Sequence, residues 1–573
     1  MQKRMMVASC AALLLAGCIR DATAQPETAA KPARISKASG DYIGTTEPMA
    51  ANAVYFVLTD RFVNGDPGND QRTQGGKALG SFDIPLRCPD GVVDNIGYLG
   101  GDFRGLLEHA GYIREMGFTA VWITPIAENP DQRFSGGDEI TCTSFLTDRG
   151  KSGYHGYWAT NFYRTDEHLP SPGLDFPQLT AALRREGLDT VLDIVGNHGS
   201  PAYTMPEAQP GFGQLFDADG KLVADHQNLP PEKLDPAGNP LHAFYNTRRD
   251  LAQLGDLDGS NPKVIDYLSG AYLRWIEQGA AALRVDTIRH QPHAFWKTIA
   301  DRIRAEYPGF FMFGEAFDHE AANIAPFTQE ANGAYSVLDF PLKAALVEVF
   351  EKGAGYERLA PALYLDGGPY RNPYDLTTFY DNHDMARLGA DDAGFIDAHH
   401  WLFTARGIPV IYYGSEMGFM RGAVEHHGNR NYFGTEGIAT ARTHPIRAAL
   451  SRIAGARQAS VALQRGLQLN LELKGERAAF YRVYQHDGVA QTALVLLNKG
   501  DSATTFKLGE RFQPGTWRSA FGAEGISLRI DPGAAPELRV GPHDAAVWLL
   551  ESPITLRALT RELDALMAAP HGR

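Results

Sequence analysis

Thr190-Val191-Leu192-Asp193-Ile194-Val195 is a short, mostly apolar run that gives way at once to Gly196-Asn197-His198. Seven other runs have the same character: Val54–Leu58, Ala120–Thr124, Ala281–Val285, Phe310–Phe313, Ser336–Asp339, Thr377–Tyr380 and Pro409–Tyr412. Amphipathic stretches lie between them. Phe103–Met116 carries Leu106, Leu107, Ala110 and Ile113 at helical spacing, and Lys263–Ile276 is a second example. Near-continuous apolar strands alternating with helices point to a parallel sheet covered on both faces. An open doubly wound sheet and a closed barrel both satisfy that pattern; the placement of polar residues separates them. Asp193 lies near the end of the third run and His198 follows it, Asp286 follows the fourth, Glu315 the fifth, and His383 and Asp384 the seventh. One such carboxylate alone reads equally well as a helix N-cap or a surface ion pair. Several strand ends supplying polar groups together read as the catalytic face of a (β/α)8 TIM barrel.

Working outward, residues 199–255 form a loop-rich insertion after the third strand, too long to be a mere connection. Past residue 466 the pattern changes to alternating strands, at Ala478–Tyr484, Thr492–Asn498, Thr504–Leu508, Thr516–Ala520 and Ala545–Leu550. This is the signature of an antiparallel β-sandwich. The expected division is a barrel over 51–466 with the insertion inside it, a sandwich over 467–552, and an amphipathic tail over 553–573.

The 573 residues carry a formal net charge of -14, with 44% hydrophobic and 21% charged residues. That composition is globular, and its acidity argues against binding nucleic-acid phosphates. At the N-terminus, Lys3 and Arg4 precede the apolar stretch Met5–Ala16, which is too short to span a membrane as an ordinary helix. Its end, Leu15-Ala16-Gly17-Cys18, resembles the bacterial lipoprotein signal. The resemblance implies a signal peptide over 1–17, lipidation of Cys18 and a flexible tether over 18–50; a plain secretory peptide cut after Ala24 is the alternative. Ile19 is not the Asp associated with inner-membrane retention, which favours the outer membrane in a Gram-negative cell. The resulting expectation is export, with a lipid anchor as the only membrane contact, and a monomer. Cys88 and Cys142 would lie in an oxidising compartment that permits a disulfide, without the sequence deciding whether they pair.

Six segments then resemble one family. Asp193-Ile194-Val195-Gly196-Asn197-His198, Leu283-Arg284-Val285-Asp286-Thr287-Ile288-Arg289-His290, Phe313-Gly314-Glu315 and Tyr380-Asp381-Asn382-His383-Asp384 look like the four signatures of glycoside hydrolase family 13, the α-amylase family, in family order. Gly153-Tyr154-His155-Gly156-Tyr157-Trp158 and the segment from Gly407 to Glu416 add two more. In style the chain is similar to bacterial α-amylases and cyclodextrin glucanotransferases. The resemblance implies Asp286 as nucleophile, Glu315 as acid/base and Asp384 as the third carboxylate, which holds the sugar at the cleaved bond. Retaining glycosidases need two carboxyls close together, one attacking the anomeric carbon while the other protonates the leaving oxygen. Arg284 lies two residues before Asp286 and so on the same strand face, where it keeps that carboxylate charged and oriented. His155, His198, His290 and His383 are implied to contact sugar hydroxyls, Tyr157 to stack on a sugar ring, Arg289 to reach the sugar beyond the cleaved bond, and Asn429 and Arg430 to contact the non-reducing side.

The resemblance also implies Ca2+. One site would use Asn197, Asp256 and the His290 carbonyl; a second would use Asn64, Asp66, Asn69, Asp70, Gly100 and Asp102. Oxygen-rich sets of this kind suit a hard cation. Three functions remain in play: an α-1,4-glucan hydrolase acting on starch-like glucans and maltooligosaccharides, a cyclising or disproportionating glucan transferase, and a noncatalytic carbohydrate-binding protein. The three retained carboxylates weigh against the last. Pro230 after Gln227-Asn228-Leu229, and His293, stand where glucanotransferases carry aromatics. Together with the single β-sandwich, these departures lead us to expect hydrolysis.

Overall fold

The computed structural model describes residues 40–572. Eight strands form one sheet: β1 (Val54–Val57), β2 (Ala120–Ile123), β3 (Asp189–Val195), β4 (Ala282–Asp286), β5 (Met312–Gly314), β6 (Ser336–Val337), β7 (Thr377–Thr378) and β8 (Ile408–Tyr412). Every neighbouring pair is parallel, and β1 pairs with both β2 and β8. The seam between β6 and β7 is closed by one parallel bridge, Leu338 to Thr377. The expected barrel is therefore present and nearly closed, and all eight anticipated strands are in it. Both faces of these strands are buried, which is why they lack polar alternation.

The helix Pro262–Glu277 shows how the sequence sets an outer element. Asn261 caps it through the Lys263 N–H and Pro262 fills the first turn. Val264, Tyr267, Leu268, Ala271 and Trp275 then recur at helical spacing and are buried. The insertion is rooted by antiparallel pairing of His198–Pro201 with Leu254–Asp256.

Loop geography matters most for function. In a closed eight-strand order, the loops after β4 and β5 stand across the mouth from those after β8 and β1. The first side carries Arg289, Glu315 and Phe317. The second carries the hairpin Pro85–Arg87/Val93–Asn95 after β1 and the segment Glu425–Asn429 after β8, with the loop through residues 137–158 beside them after β2. Cys88 and Cys142 do pair, with their Cα atoms 5.8 Å apart.

The C-terminal unit has eight strands: β9 (Leu467–Lys474), β10 (Arg477–His486), β11 (Val489–Asn498), β12 (Thr504–Lys507), β13 (Gly515–Phe521), β14 (Ser527–Ile530), β15 (Glu537–Val540) and β16 (Asp544–Leu550). Six form an antiparallel sheet in the order β9-β10-β11-β16-β13-β14, and β12 pairs with β15. The tail is a helix, Arg557–Met567, seated on buried Leu559 and Leu563.

The tether expected over 18–50 does not extend to residue 50. Tyr42, Ile43 and Met49 are buried, and Tyr42 bridges Gln485 on β10, so the segment from Tyr42 onward belongs to the folded body. Its apolar residues are too few to register against the surrounding Thr, Pro and Ala. The signal peptide and the lipid site at Cys18 lie outside the described residues. Among those described, no helix is long and apolar enough to cross a membrane.

Candidate active site

Strand register builds the site. On β3 and β4, Asp193 and Arg284 are direct partners. On β4 and β5, Val285 is opposite Gly314, and the Glu315 N–H donates to the Val285 carbonyl. Arg284 and Asp286 share one face by the two-residue period, so Asp193, Arg284, Asp286 and Glu315 converge. Arg284 is fully buried. Its Nη1 donates to Asp193 Oδ1 at 2.9 Å and to Asp286 Oδ1 at 2.8 Å, and its Nη2 lies 3.0 Å from Glu315 Oε2. One guanidinium thus faces three carboxylates. Asp193 also accepts from Tyr157 Oη at 2.7 Å and Trp122 Nε1 at 3.1 Å. Burial still pushes Asp193 up to about 7, against the pull of Arg284.

The three proposed catalytic carboxyls differ in surroundings. Asp286 accepts from Thr287 Oγ1 at 3.0 Å. Thr287 itself adopts φ 46°, an uncommon backbone for a β-branched residue, and such strain clusters at functional sites. Glu315 is held well above the usual carboxylate range by burial, with Asp384 and Asp286 adding to it against Arg284. Asp384 accepts from Arg430 Nη2 at 2.8 Å, and His383 Nε2 is 3.1 Å from its other oxygen. His383 and His155 are buried and pushed well below their usual range, so both are neutral donors or acceptors. Together these groups supply a carboxylate held by Arg284, a protonated carboxyl and neutral imidazoles.

Several expected contacts are placed differently. The Tyr157 ring stacks on His383 with centroids 5.3 Å apart and lies 5.6 Å from His155. It is part of the buried wall of the site. Asn429 is fully buried, and its amide donates to the carbonyls of Asn382 and Met385. It props the Asp384 loop from beneath and does not reach a sugar. His198 is buried on the insertion root. Arg289 donates to the Phe317 carbonyl and pairs with Asp318 at 3.0 Å. The His290 side chain binds Asp250 at 2.8 Å.

Other residues of the site carry no signature in the sequence. Lys151 Nζ is 3.1 Å from Asp148 and 3.5 Å from Glu425, and Glu425 is 3.0 Å from Arg430. This chain of charges runs to Asp384. Phe317, two residues past Glu315, is half exposed. Its position beside the third signature was the available signal; Lys151 and Glu425 offered none.

With this arrangement in view, known proteins are informative. The profile of the alpha-amylase catalytic domain matches residues 56–450. The chain belongs to the alpha-amylase family. Its relatives include both transferases and hydrolases. It is 30% identical to the cyclomaltodextrin glucanotransferase of Bacillus licheniformis over 64% of this chain and 49% of that one. The chain thus spans about half the length of that relative. It is 27% identical to an alpha-amylase of Streptomyces lividans, covering 82% of this chain and 58% of the other. The crystal structure of CldA, a cyclomaltodextrin glucanotransferase with a three-domain ABC distribution, superposes with a TM-score of 0.69 at 30% identity, covering 87% of this chain and 99% of that one. The acarbose complex of the alpha-amylase from Geobacillus thermoleovorans gives a TM-score of 0.65 at 26% identity, covering 88% and 99%.

Two oxygen-rich regions of this alpha-amylase family enzyme suit a cation. At the insertion root, burial pushes Asp256 up to about 8, and neighbouring Asp250 adds to this. Asn197 Nδ2 lies 3.2 Å from Asp250 and 3.5 Å from Asp256. Asp250 was not anticipated. At the second region the Oδ1 atoms of Asn64 and Asn69 are buried without partners. A Cβ on Gly100 would sit 2.3 Å from Asn64 Nδ2 and Asp70 Oδ1, so glycine is needed there. Asp102 accepts from the N–H groups of Gly65, Asp66 and Gly105, which makes it a clamp and helix cap as well. Asp66 accepts from the Gly68 N–H.

Proposed function

We propose that the chain is a retaining α-1,4-glucan hydrolase working through a covalent glucosyl-enzyme. The observation that carries this reading is the buried Arg284 facing Asp193, Asp286 and Glu315 together, with Asp384 on Arg430 completing the ring. Asp286, hydrogen-bonded by Arg284 and Thr287, attacks the anomeric carbon. Glu315, whose raised pKa keeps its proton, protonates the departing glycosidic oxygen. Asp384 and His383 hold hydroxyls of the sugar being cleaved, in bonds that strengthen as positive charge develops on the ring. Glu315, now ionised, then takes a proton from water, which releases the sugar from Asp286 with retention.

Calcium is part of this proposal as a structural ion. Asn197, Asp250 and Asp256 would hold one ion that fastens the insertion to the barrel. Asn64, Asn69 and Asp70 would hold another. The unpartnered Asn oxygens and the buried Asp256 beside Asp250 are the features that support these assignments.

Transfer is the second reading, and Phe317 favours it. Half exposed beside Glu315, its ring offers an apolar seat to a sugar acceptor competing with water. The expectation of hydrolysis drawn from a single β-sandwich loses its force beside CldA, a three-domain glucanotransferase. What still supports hydrolysis is Pro230 and His293. Pro230 leads into a short helical turn, and His293 packs on Phe327. Neither presents an aromatic platform of the glucanotransferase kind.

Incubation of the protein with calcium on maltoheptaose and soluble starch, with products resolved by mass, tests this. Linear products with one new reducing end per cut support hydrolysis. Products lighter by one water, or longer than the substrate, refute it in favour of cyclisation or transfer. Export and anchoring through Cys18 are a separate proposal: Cys18→Ser should abolish membrane association of the mature form, and persistence of that association overturns it.

A further inference from the structure

Eight large apolar side chains are exposed among the described residues; Val489 and Ile526 lie in the C-terminal unit and Phe317 beside Glu315, but four others fall together. Val93 is 43% exposed, Phe145 72%, Leu146 48% and Val424 45%. These four sit on three different loops, after β1, β2 and β8, all on one side of the barrel mouth. Clusters of this kind on an otherwise polar surface mark binding sites more often than chance.

The loops are tied to one another. Cys88 joins Cys142, and Cys88 Sγ lies 3.8 Å from the His426 carbonyl oxygen. Asp90 and His427 are 2.7 Å apart. Val93 is the cross-strand partner of Arg87, the neighbour of Cys88. The strand Val93–Asn95 packs against the segment Glu425–Asn429, which begins one residue after Val424. Phe145 is three residues past Cys142, within about 10 Å of chain. Lys151 and Glu425 pin the far end of the same loop. A group of apolar side chains drawn from three loops is thus gathered around one disulfide.

We propose that Val93, Phe145, Leu146 and Val424 form an apolar platform for the non-reducing part of an α-glucan chain, assembled by the Cys88–Cys142 bridge. This deepens the function proposed above and rests on it. Glu315 and Phe317 stand on the leaving-group side. Asp384, Arg430 and Glu425 stand on the opposite side, and the platform continues outward from Glu425. A glucan held at Asp384 therefore extends toward these residues, and the apolar faces of its glucosyl rings match exposed Phe and aliphatic side chains. Short substrates end before reaching the platform; long ones lie across it. The bridge then makes preference for long chains sensitive to reduction.

The test compares kcat/KM on maltoheptaose and on maltotriose for the full chain, with and without dithiothreitol, and for Phe145→Ser/Leu146→Ser. The ratio of maltoheptaose to maltotriose should fall about tenfold in the double variant, the size of one lost aromatic contact. Reduction should lower the ratio in the same direction. Both replaced side chains are exposed, so the variant keeps its fold, checked by an unchanged unfolding midpoint. A ratio that stays constant, or two substrates that weaken equally, overturns the platform. A ratio lowered by the substitutions and untouched by verified reduction overturns the clamp. If the parent protein turns over neither substrate, the proposed reaction fails. The platform is then judged by mobility in amylose-containing native gels, where retardation lost in Phe145→Ser/Leu146→Ser upholds it and equal mobility refutes it.

Discussion

Glu425→Gln tests whether the charge chain behind Asp384 holds the site together. Glu425 Oε1 is 3.0 Å from Arg430 and 3.5 Å from Lys151, and both cations are almost wholly buried. Unit charges about 4 Å apart attract by about 4 kcal/mol at an effective dielectric near 20, before desolvation is subtracted. Removing one partner of a buried pair costs about 3–5 kcal/mol because the other charge is left uncompensated. Here Lys151 keeps Asp148 and Arg430 keeps Asp384, so the lower end, about 3 kcal/mol, is expected. The pH dependence gives a second constraint. Burial acts to raise Glu425, but Arg430 and Lys151 outweigh it and hold the carboxyl far below its usual range. A depressed folded pKa contributes stability that is fully present above the unfolded value, about 4.3, and is lost as pH falls below it. The gap between parent and variant should therefore be constant from pH 8 to 5 and narrow below about pH 4.3. Urea unfolding midpoints across this range measure it. Activity should fall with stability: Arg430 keeps Asp384 but loses its second anchor at Glu425, so Asp384 is less firmly positioned and kcat/KM should drop by about ten- to a hundredfold. A gap at pH 7 under about 0.5 kcal/mol, typical of an exposed pair, would refute the reasoning. So would a gap that persists undiminished to pH 3.

Asp286→Asn should lower the release of reducing ends by at least about 10⁴-fold while the folded state survives, as seen by circular dichroism. Glu315→Gln should lose about 10²–10⁴-fold on starch but far less on maltotriosyl fluoride, whose leaving group needs no proton. Equal losses on both would remove Glu315 from the acid role. Stripping with a chelator should lower the unfolding temperature, with recovery on adding Ca2+ and little on adding Mg2+, which dehydrates reluctantly and demands near-octahedral geometry. An ion present at a hundred times its Kd contributes about 2.7 kcal/mol, and an unchanged midpoint would refute calcium.

What the sequence made legible follows from range. The barrel strands were legible because each is a local apolar run, and the convergence of Arg284, Asp286 and Glu315 because period and register act over a few residues. β9 was open to the same reading: Leu467-Gln468-Leu469-Asn470-Leu471-Glu472-Leu473 alternates strictly, but it lies on the expected domain boundary and was passed over. Lys151 and Glu425 could not be joined from the sequence, because nothing local announces that two loops far apart in the chain will share a buried charge. Asn429 failed for the converse reason. Its neighbour Arg430 does face Asp384, whereas the amide of Asn429 turns inward to two carbonyls.

The choice between water and sugar as acceptor sits on the same divide. Both chemistries use one glucosyl-enzyme, so Asp286, Glu315 and Asp384 are common to them and decide nothing. The partition depends on what waits beyond Glu315. There Arg289 is drawn toward Asp318 and the Phe317 carbonyl, which holds the loop carrying Phe317 in place. A fixed, half-exposed ring lengthens the stay of any sugar that reaches it, while the absent aromatics at Pro230 and His293 leave the far reach of that side without grip. On the proposed mechanism, water should win when acceptors are dilute, and transfer should grow as they are concentrated. Products on maltoheptaose should shift toward chains longer than the substrate as its concentration rises, and Phe317→Ala should suppress that shift while hydrolysis persists. A transfer fraction unaffected by Phe317→Ala would separate acceptor choice from this ring altogether.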